Sequence, residues 1–219
     1  MRANCFTFSE KVTGNERKVT AAVIAGVLDV PIKYAGVPTF SYEAGGWSID
    51  KNNNLKSPEF TIEEMQNIKS VFDALMAATS SAEGNLSIAV SSEGHTEGSY
   101  TNLINIIKSK ESLIKRALGI ESEIVVSKTQ GEIIFDFYNA TLNTEEIVAY
   151  ITFSLKLSEQ AKSLKRALAK EKTVENDKYA FRCFLLRLGF IGQYKLERKV
   201  LLSKLSGNSA FRGNNYKTQ

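Results

Sequence analysis

Apolar and polar positions alternate with two different periods along this chain, and each change of period predicts a new element. Residues 5–12 (CFTFSEKV) alternate between apolar and polar, which is typical of a half-buried strand. An apolar spacing of three and four residues then predicts a helix that runs to about Leu28. The pair Gly45-Gly46 predicts the turn of a β-hairpin over residues 39–51, because glycine adopts the positive φ angles of tight turns.

A similar order of elements follows in the rest of the chain. The patterns predict a helix over residues 61–78, a strand at 86–90, a helix at 100–118, a hairpin around Gln130-Gly131 and a long helix from Asn143 to about Lys172. The order strand–helix–strand–strand–helix therefore occurs twice. We predict an α+β fold with a duplicated β-α-β-β-α body.

The boundaries of this body follow from the same patterns. The body covers residues 1–172, with units of about 5–80 and 86–172, and the two units bury a common core. Residues 173–219 form a basic helical tail that packs on the body, with helices predicted at 177–188 and 193–205. No Gly-rich or Pro-rich linker occurs, which favours one compact body.

Charge is distributed unevenly along the 219 residues, whose overall net charge is +4. Residues 1–154 hold 13 Lys and Arg against 19 Asp and Glu, whereas residues 155–219 hold 15 against 5. A basic third joined to an acidic body indicates a polyanionic partner, either a nucleic acid or an acidic protein surface. The same asymmetry would also let the basic end dock on the acidic part of its own chain.

The basic residues are the strongest functional candidates. Lys162, Arg166 and Lys170 recur every four residues, so they share one face of the predicted long helix. Such a face can neutralise phosphates, and each contact adds affinity that depends on salt and not on base sequence. The alternative is a solvated face on which Glu159 pairs with Lys162. The predicted nucleic-acid or partner-binding set is Lys162, Lys165, Arg166, Lys170, Lys172, Lys195, Arg198, Lys199 and Lys204.

Few residues offer catalytic or metal chemistry. One histidine, His95, and two cysteines, Cys5 and Cys183, are too few for a His/Cys zinc site or a disulfide framework. No phosphate-binding glycine motif and no nucleophile-elbow motif occurs. We therefore predict no enzyme activity, no catalytic residue, no metal and no cofactor. The loop that places His95 between Glu93 and Glu97 is the one alternative for acid–base chemistry.

Four aromatic residues surround the first predicted hairpin: Tyr34, Phe40, Tyr42 and Trp47. Exposed rings of this kind can stack on bases or form the centre of a protein interface, and Tyr34 and Trp47 are the predicted contacts. Strand alternation places Phe40 and Tyr42 on the same face, which favours core packing for at least two of the four.

The compartment follows from what the chain lacks. No stretch of 18 uncharged apolar residues and no signal-peptide pattern occurs, which predicts a protein without a membrane partner. Two cysteines without a pairing pattern are typical of a reducing compartment. We therefore expect a cytoplasmic protein.

Motifs at both ends of the chain resemble a known family. These motifs are TGNERK at 13–18, KYAGVPTFSYEAGGWSID at 33–50, KYAFRCFLLRLGFIG at 178–192, RKVLL at 198–202 and GNSAF at 207–211. Together they resemble a family labelled "virulence-related" in Firmicutes, carried mostly on phages and conjugative elements. The resemblance implies an accessory gene of a mobile element in a bacterial cytosol, and it implies no catalytic residues.

The resemblance and the charge pattern together suggest a function. Small accessory proteins of mobile elements often disable host defences, so the leading hypothesis is an anti-CRISPR-like binding protein that inhibits a host defence complex. Its expected partner is a host defence protein or ribonucleoprotein, with DNA or RNA bound through the basic C-terminal region. The alternative is a non-specific nucleic-acid-binding accessory protein for maintenance or transfer of the element.

Overall fold

The computed structural model describes residues 5–78 and 80–210, apart from the side chain of Ile62. Within these residues the fold is α+β, as predicted, with seven α-helices and one eight-stranded sheet. The chain divides into two compact units, each made of two separate stretches. The first unit combines Met1–Glu93 with Val125–Val148, and the second combines Gly94–Ile124 with Ala149–Gln219.

The sheet lies in the first unit, and every neighbouring pair of its strands is antiparallel. Its order is β2-β3-β4-β5-β1-β6-β8-β7. The strands are β1 Phe6–Thr13, β2 Lys33–Tyr34, β3 Tyr42–Ala44, β4 Trp47–Ile49, β5 Asn54–Lys56, β6 Ser81–Ser91, β7 Val126–Lys128 and β8 Glu132–Asn139. The first strand of the chain is central, since Ser9 lies opposite both Lys56 of β5 and Ser87 of β6.

The core of the first unit lies between the sheet and two helices, α1 (Arg17–Leu28) and α2 (Met65–Ala77). Alternation along β1 buries Phe8, whose ring centroid is 5.2 Å from that of Phe72 on α2 and 5.4 Å from that of Trp47 on β4. The buried face is the one that the alternating pattern predicts, because successive strand side chains point to opposite sides.

The second unit is helical. Its helices are α3 Glu97–Lys108, α4 Glu111–Leu118, α5 Thr144–Ser163, α6 Asp177–Arg187 and α7 Lys195–Leu201, and the first turn of α5 belongs to the first unit. The ring of Phe153 on α5 contacts those of Phe181 and Phe184 on α6, at centroid distances of 6.1 and 6.2 Å. These apolar contacts make the hydrophobic sequence of α6 part of a core, as its composition predicts.

Three of the predicted helices have different bounds in the structure. The helix predicted at 100–118 is two helices, α3 and α4, and Ser109 Oγ donates to Ile106 O at 2.8 Å where α3 ends. The long helix ends at Ser163 and not near Lys172, and the last helix is only α7. The carboxyl end of the predicted tail, residues 211–219, lies outside the described residues.

The structure does not confirm the duplicated pattern. Met1–Glu93 contributes six strands to the sheet, whereas the later part of the chain adds only β7 and β8. The two compact units are built from alternating stretches of chain, whereas the predicted units followed one another along it. The packing of residues 173–219 on a body stays a prediction.

Candidate functional site

The basic residues near the end of α5 lie mostly on non-helical chain. α5 stops at Ser163, and residues 164–176, here named the basic segment, are neither helix nor strand. The predicted helical face bearing Lys162, Arg166 and Lys170 is therefore wrong, since only Lys162 is on the helix. The exposed cations of the basic segment are Lys165, Arg166, Lys170 and Lys172.

Two asparagines of α3 explain why the helix stops. Asn102, only 5% exposed, donates through Nδ2 to Leu164 O at 2.7 Å and accepts from Ala167 N at 2.8 Å. Asn105 Nδ2 donates to Ala167 O at 3.1 Å. These amides satisfy backbone groups that a continued helix would pair internally, so the chain can leave the helix without orphaned polar groups.

The other end of the basic segment is held by α4. Both oxygens of the Glu171 carboxylate accept from Ser112, one from the backbone N and one from Oγ, each at 3.0 Å. Arg116 forms a two-point ion pair with Asp177 at 2.7 and 3.0 Å, where α6 begins. Asn176 then caps α6 by accepting from Tyr179 N at 3.1 Å. The segment is thus fixed at both ends on its own unit.

A cleft of about 900 Å³ lies beside the basic segment, and we name it the basic cleft. Burial is the main cause that lowers the pKa of Lys110, and the positive charges of Arg187 and Lys172 lower it further. The negative charge of Glu171 opposes this shift. Next to Lys110 the two positive charges therefore outweigh the negative charge of Glu171. The lining of the cleft as a whole carries three basic residues, Lys110, Arg116 and Lys172, and three acidic ones, Glu171, Glu175 and Asp177. The cleft is lined by Ser109, Lys110, Ser112, Leu113, Arg116, residues 171–177, Ser206 and Gly207.

Two of the other predicted contact residues bind their own chain. Arg198 Nη1 donates to Phe190 O at 3.0 Å, and Lys204 Nζ donates to Leu118 O at 2.9 Å. The second bond satisfies a carbonyl at the C-terminal end of α4, where a positive charge is also favourable for the helix dipole. These two side chains therefore have structural roles in the second unit.

The remaining predicted cations stay available to a partner. Lys195 and Lys199 on α7 are exposed, and Lys162 is half-buried in the last turn of α5. Glu159 does not pair with Lys162 as the alternative interpretation expected, because its carboxylate binds Lys156 Nζ at 2.9 Å. The expected internal neutralisation of Lys162 is therefore wrong.

The two predicted aromatic contacts have opposite environments. Trp47 is 1% exposed and packs on Phe8 and Phe72, so its assignment as a partner contact is wrong. Burial of this large ring in the core removes more apolar surface from water than any contact at the turn could. Tyr34 lies on the edge strand β2, is 52% exposed and packs its ring 5.0 Å from that of Tyr42. Its contact role stays a prediction.

The single histidine is held between two serines of the second unit. His95 Nδ1 lies 3.0 Å from Ser99 Oγ, and His95 Nε2 lies 2.7 Å from Ser158 Oγ. Ser99 also completes the capping box of α3 with Thr96. The ring therefore joins the start of α3 to α5, with Ser158 only 3% exposed. The sequence could not reveal the contact between His95 and Ser158 because these residues are 63 positions apart.

The described part of the chain holds neither a cluster of metal ligands nor a helix of membrane-spanning kind. Within residues 5–78 and 80–210, no three side chains of His, Cys, Asp or Glu gather as ligands for a metal ion. None of the helices in these residues combines the length and the hydropathy needed to cross a bilayer. Comparison of the chain with protein-family models and with curated proteins finds no match.

Sequence reasoning missed Lys110, which lines the basic cleft, Arg187, whose charge acts on Lys110, and the asparagines that hold the basic segment. Lys110 and Arg187 are not in the predicted set. Asn102 and Asn105 carried a usable signal: two amides three residues apart on an apolar helix indicate bonds to non-helical backbone. That signal does not say which backbone they bind.

Proposed function

We propose that this chain is a non-catalytic binding protein of a mobile genetic element that inhibits a host defence complex, with a CRISPR effector as the target. The mobile-element setting rests on the family resemblance of the terminal motifs. One structural observation carries the binding role: the basic segment presents exposed cations on chain that α3 and α4 hold in place.

Fixed cations favour a polyanionic partner. Lys165, Arg166 and Lys170 are exposed, so they can contact phosphates without first breaking internal ion pairs. The hydrogen bonds of Asn102 and Glu171 order the backbone before binding, which reduces the entropy lost when the partner binds. CRISPR effectors carry a guide RNA and a DNA target whose phosphates are such a partner. The segment would compete for this nucleic acid.

The alternative function is non-specific nucleic-acid binding for maintenance or transfer of the element. One observation favours it: the cations project from non-helical chain and not from a helix that could enter a major groove. Contacts of this kind with phosphates position the protein on the nucleic acid and carry no information about base sequence. The two functions share a surface and differ in whether a defence complex is inhibited.

The first experiment measures nucleic-acid binding across a salt series. The variant K165E/R166E/K170E reverses three exposed charges of the basic segment. We expect wild-type affinity to fall steeply with salt, and the variant to bind at least tenfold more weakly with a log–log slope smaller by about 2 to 3. The matched control K18E/K51E/K69E makes the same charge change on exposed lysines of the first unit and should bind nearly as wild type.

The second experiment separates the two functions. A purified CRISPR effector loaded with guide RNA cleaves target DNA in the presence of wild-type protein or either triple variant. Inhibition by wild type and by the K18E/K51E/K69E control, with loss in K165E/R166E/K170E, would support the defence-inhibitor proposal. Nucleic-acid binding without inhibition would instead favour the accessory role, and inhibition that survives in K165E/R166E/K170E would contradict the assignment to the basic segment.

A further inference from the structure

The basic cleft has the size and lining of a site for a polar ligand. Its volume of about 900 Å³ falls within the range of small-molecule sites, roughly 300–1,000 Å³. Hydroxyl and amide groups of Ser109, Ser112, Thr173 and Asn176 line it, together with the apolar side chains of Leu113 and Val174. A ligand that fits these walls must form hydrogen bonds.

The cations of the cleft differ in whether they are already paired. Arg116 is engaged by Asp177 through two hydrogen bonds. Lys110 and Lys172 also line the cleft, and neither forms an ion pair among the described residues. Arg187 lies close enough for its charge to act on Lys110. Like charges so placed repel one another, and an anion bound between them would relieve that repulsion.

Glu171 and Glu175 both bring negative charge to the cleft, and Glu171 is the one whose charge acts on Lys110. Its carboxylate lines the cleft and occupies the first-turn amide of α4 through Ser112 N, at 3.0 Å. That amide is therefore already occupied, and an added anion would be held by the lysine side chains. The negative charge of Glu171 would then repel that anion at short range.

We propose that the basic cleft binds a phosphate-bearing ligand through Lys110 and Lys172, and that Glu171 limits its affinity. A terminal phosphate carries about −1.5 to −2 charge and three acceptor oxygens, so it can bind both ammonium groups at once. A carboxylate offers less charge, and a phosphodiester within a strand carries only one. The source of the phosphate is either a free nucleotide or the phosphorylated end of a nucleic-acid strand. This inference goes beyond the proposed function, because Lys110 lies outside the basic segment.

The test uses two substitutions with opposite expected effects. Binding to the full chain is measured by titration with ADP and with a short oligonucleotide that carries either a 5′-phosphate or a 5′-hydroxyl. K110Q should weaken binding of the phosphorylated probe about tenfold, the usual effect of losing one charge-assisted contact. E171Q should tighten it several-fold, because glutamine keeps an acceptor for Ser112 N but removes the charge. K115Q is the matched control: Lys115 lies on α4 outside the cleft, paired with Glu111 at 3.3 Å.

The outcomes distinguish the sources and can overturn the proposal. Binding of ADP at least as tight as the oligonucleotide indicates a free nucleotide, whereas preference for the 5′-phosphate over the 5′-hydroxyl strand with weak ADP binding indicates a strand end. No binding of any phosphate probe at low millimolar concentration, equal binding by K110Q and wild type, or weaker binding by E171Q would each overturn the proposal. If K110Q fails to fold by circular dichroism, K172Q takes its place.

A further variant separates this inference from the proposed function. K165E/R166E/K170E leaves Lys110, Lys172 and Glu171 unchanged, and its substituted side chains are not among those that line the cleft. This variant should no longer inhibit the defence complex. Its affinity for ADP or for the phosphorylated strand end should stay within about threefold of the wild-type affinity, because salt screens the effect of charges at this distance. Failure of inhibition in the wild type would leave the K110Q and E171Q comparison intact.

Discussion

Glu10 is a carboxyl group on the buried face of β1, next along that face to Phe8 and Val12, with only 3% of its surface exposed. Its Oε2 accepts from Thr141 N at 3.2 Å, and Oε1 is buried without a hydrogen-bond partner among the described residues. Burial raises the pKa of Glu10 from 4.5 to about 8, against the lowering effect of the Thr141 hydrogen bond. The folded protein therefore holds this proton at neutral pH.

The substitution E10Q should remove a pH dependence of stability. Between about pH 4.5 and 8 the unfolded chain loses a proton that the native state keeps, so the free energy of unfolding falls as pH rises. At pH 8 we expect E10Q to be more stable than wild type by a few kcal/mol, at about 1.4 kcal/mol for each unit of pKa shift, and near pH 4 to be similar.

Urea unfolding followed by the fluorescence of Trp47 measures this difference at each pH. The control E132Q changes an exposed glutamate of β8 and should follow the wild-type pH dependence. A wild-type stability that stays constant from pH 5 to 8 would contradict the buried, protonated state of Glu10.

At the scale of elements, the junction of α5 with the basic segment shows how a helix end can depend on a distant side chain. The amide of Asn102 replaces helical hydrogen bonds of residues about 60 positions later in the chain. Asn102 is buried and its partners Leu164 and Ala167 are half-buried, so removal of the amide leaves backbone groups without this hydrogen bond, at a cost of about 1–3 kcal/mol for each group where water cannot replace it. The geometry of the basic segment therefore depends on α3.

The substitution N102A should loosen the basic segment. Leu164 O and Ala167 N lose their partner, and we expect the free energy of unfolding to fall by about 2 kcal/mol. Limited trypsin digestion measures the local effect, since cleavage after Lys165 and Arg166 should accelerate. The control N67A removes an exposed asparagine of α2 and should change neither quantity. Unchanged digestion of N102A would show that other contacts hold the segment.

The sequence predicted those elements whose start and end depend on near neighbours. The alternation of β1 and the Gly45-Gly46 turn are local, and both are confirmed, with φ values of 56° and 86° at the two glycines. Asn143 begins α5 by accepting from Glu145 N and Glu146 N, as its position predicts. These signals act within a few residues and are visible in the chain itself.

The features that failed depend on tertiary contacts. The helical period continues past Ser163, so periodicity alone extends α5 through the basic segment, whereas the contacts with Asn102 and Asn105 accompany its end. The burial of Trp47 could not be predicted from its sequence position, because a residue of a strand can face either side of the sheet. The basic cleft combines Lys110 and Lys172, which are 62 positions apart, and no local pattern brings them together.

At the scale of the whole molecule, the chain passes between the two compact units three times. Gly94–Ile124 belongs to the second unit, yet it leaves the first unit just after β6 and returns just before β7. β6 and β7 both pair with β8, so the sheet fixes the two ends of this stretch. Loss of the sheet would release these ends. The conformational entropy that this stretch then regains corresponds to a free energy of roughly 3 kcal/mol.

Because of this connectivity, the two units should unfold together. Trp47 is the single tryptophan and lies in the core of the first unit, so its fluorescence reports the sheet. Far-UV circular dichroism reports mainly the helices, most of which belong to the second unit. We expect the two signals to give the same midpoint in urea, as for one cooperative transition. Midpoints separated by more than about 0.5 M would contradict this coupling.

The central place of β1 in the sheet has a consequence for how the protein is made. During translation β1 leaves the ribosome before the strands that pair with it. Val90 of β6, which lies opposite Phe6 in the sheet, is synthesised 84 positions later. At about 5–20 residues per second, this interval is roughly 4 to 17 seconds. Throughout it, the edge of β1 that later pairs with β6 is open, and an open apolar edge of this kind is prone to aggregate. Glu10, with its ordinary pKa of 4.5, carries a charge on that strand in the nascent chain, and it takes up a proton when the sheet closes around it.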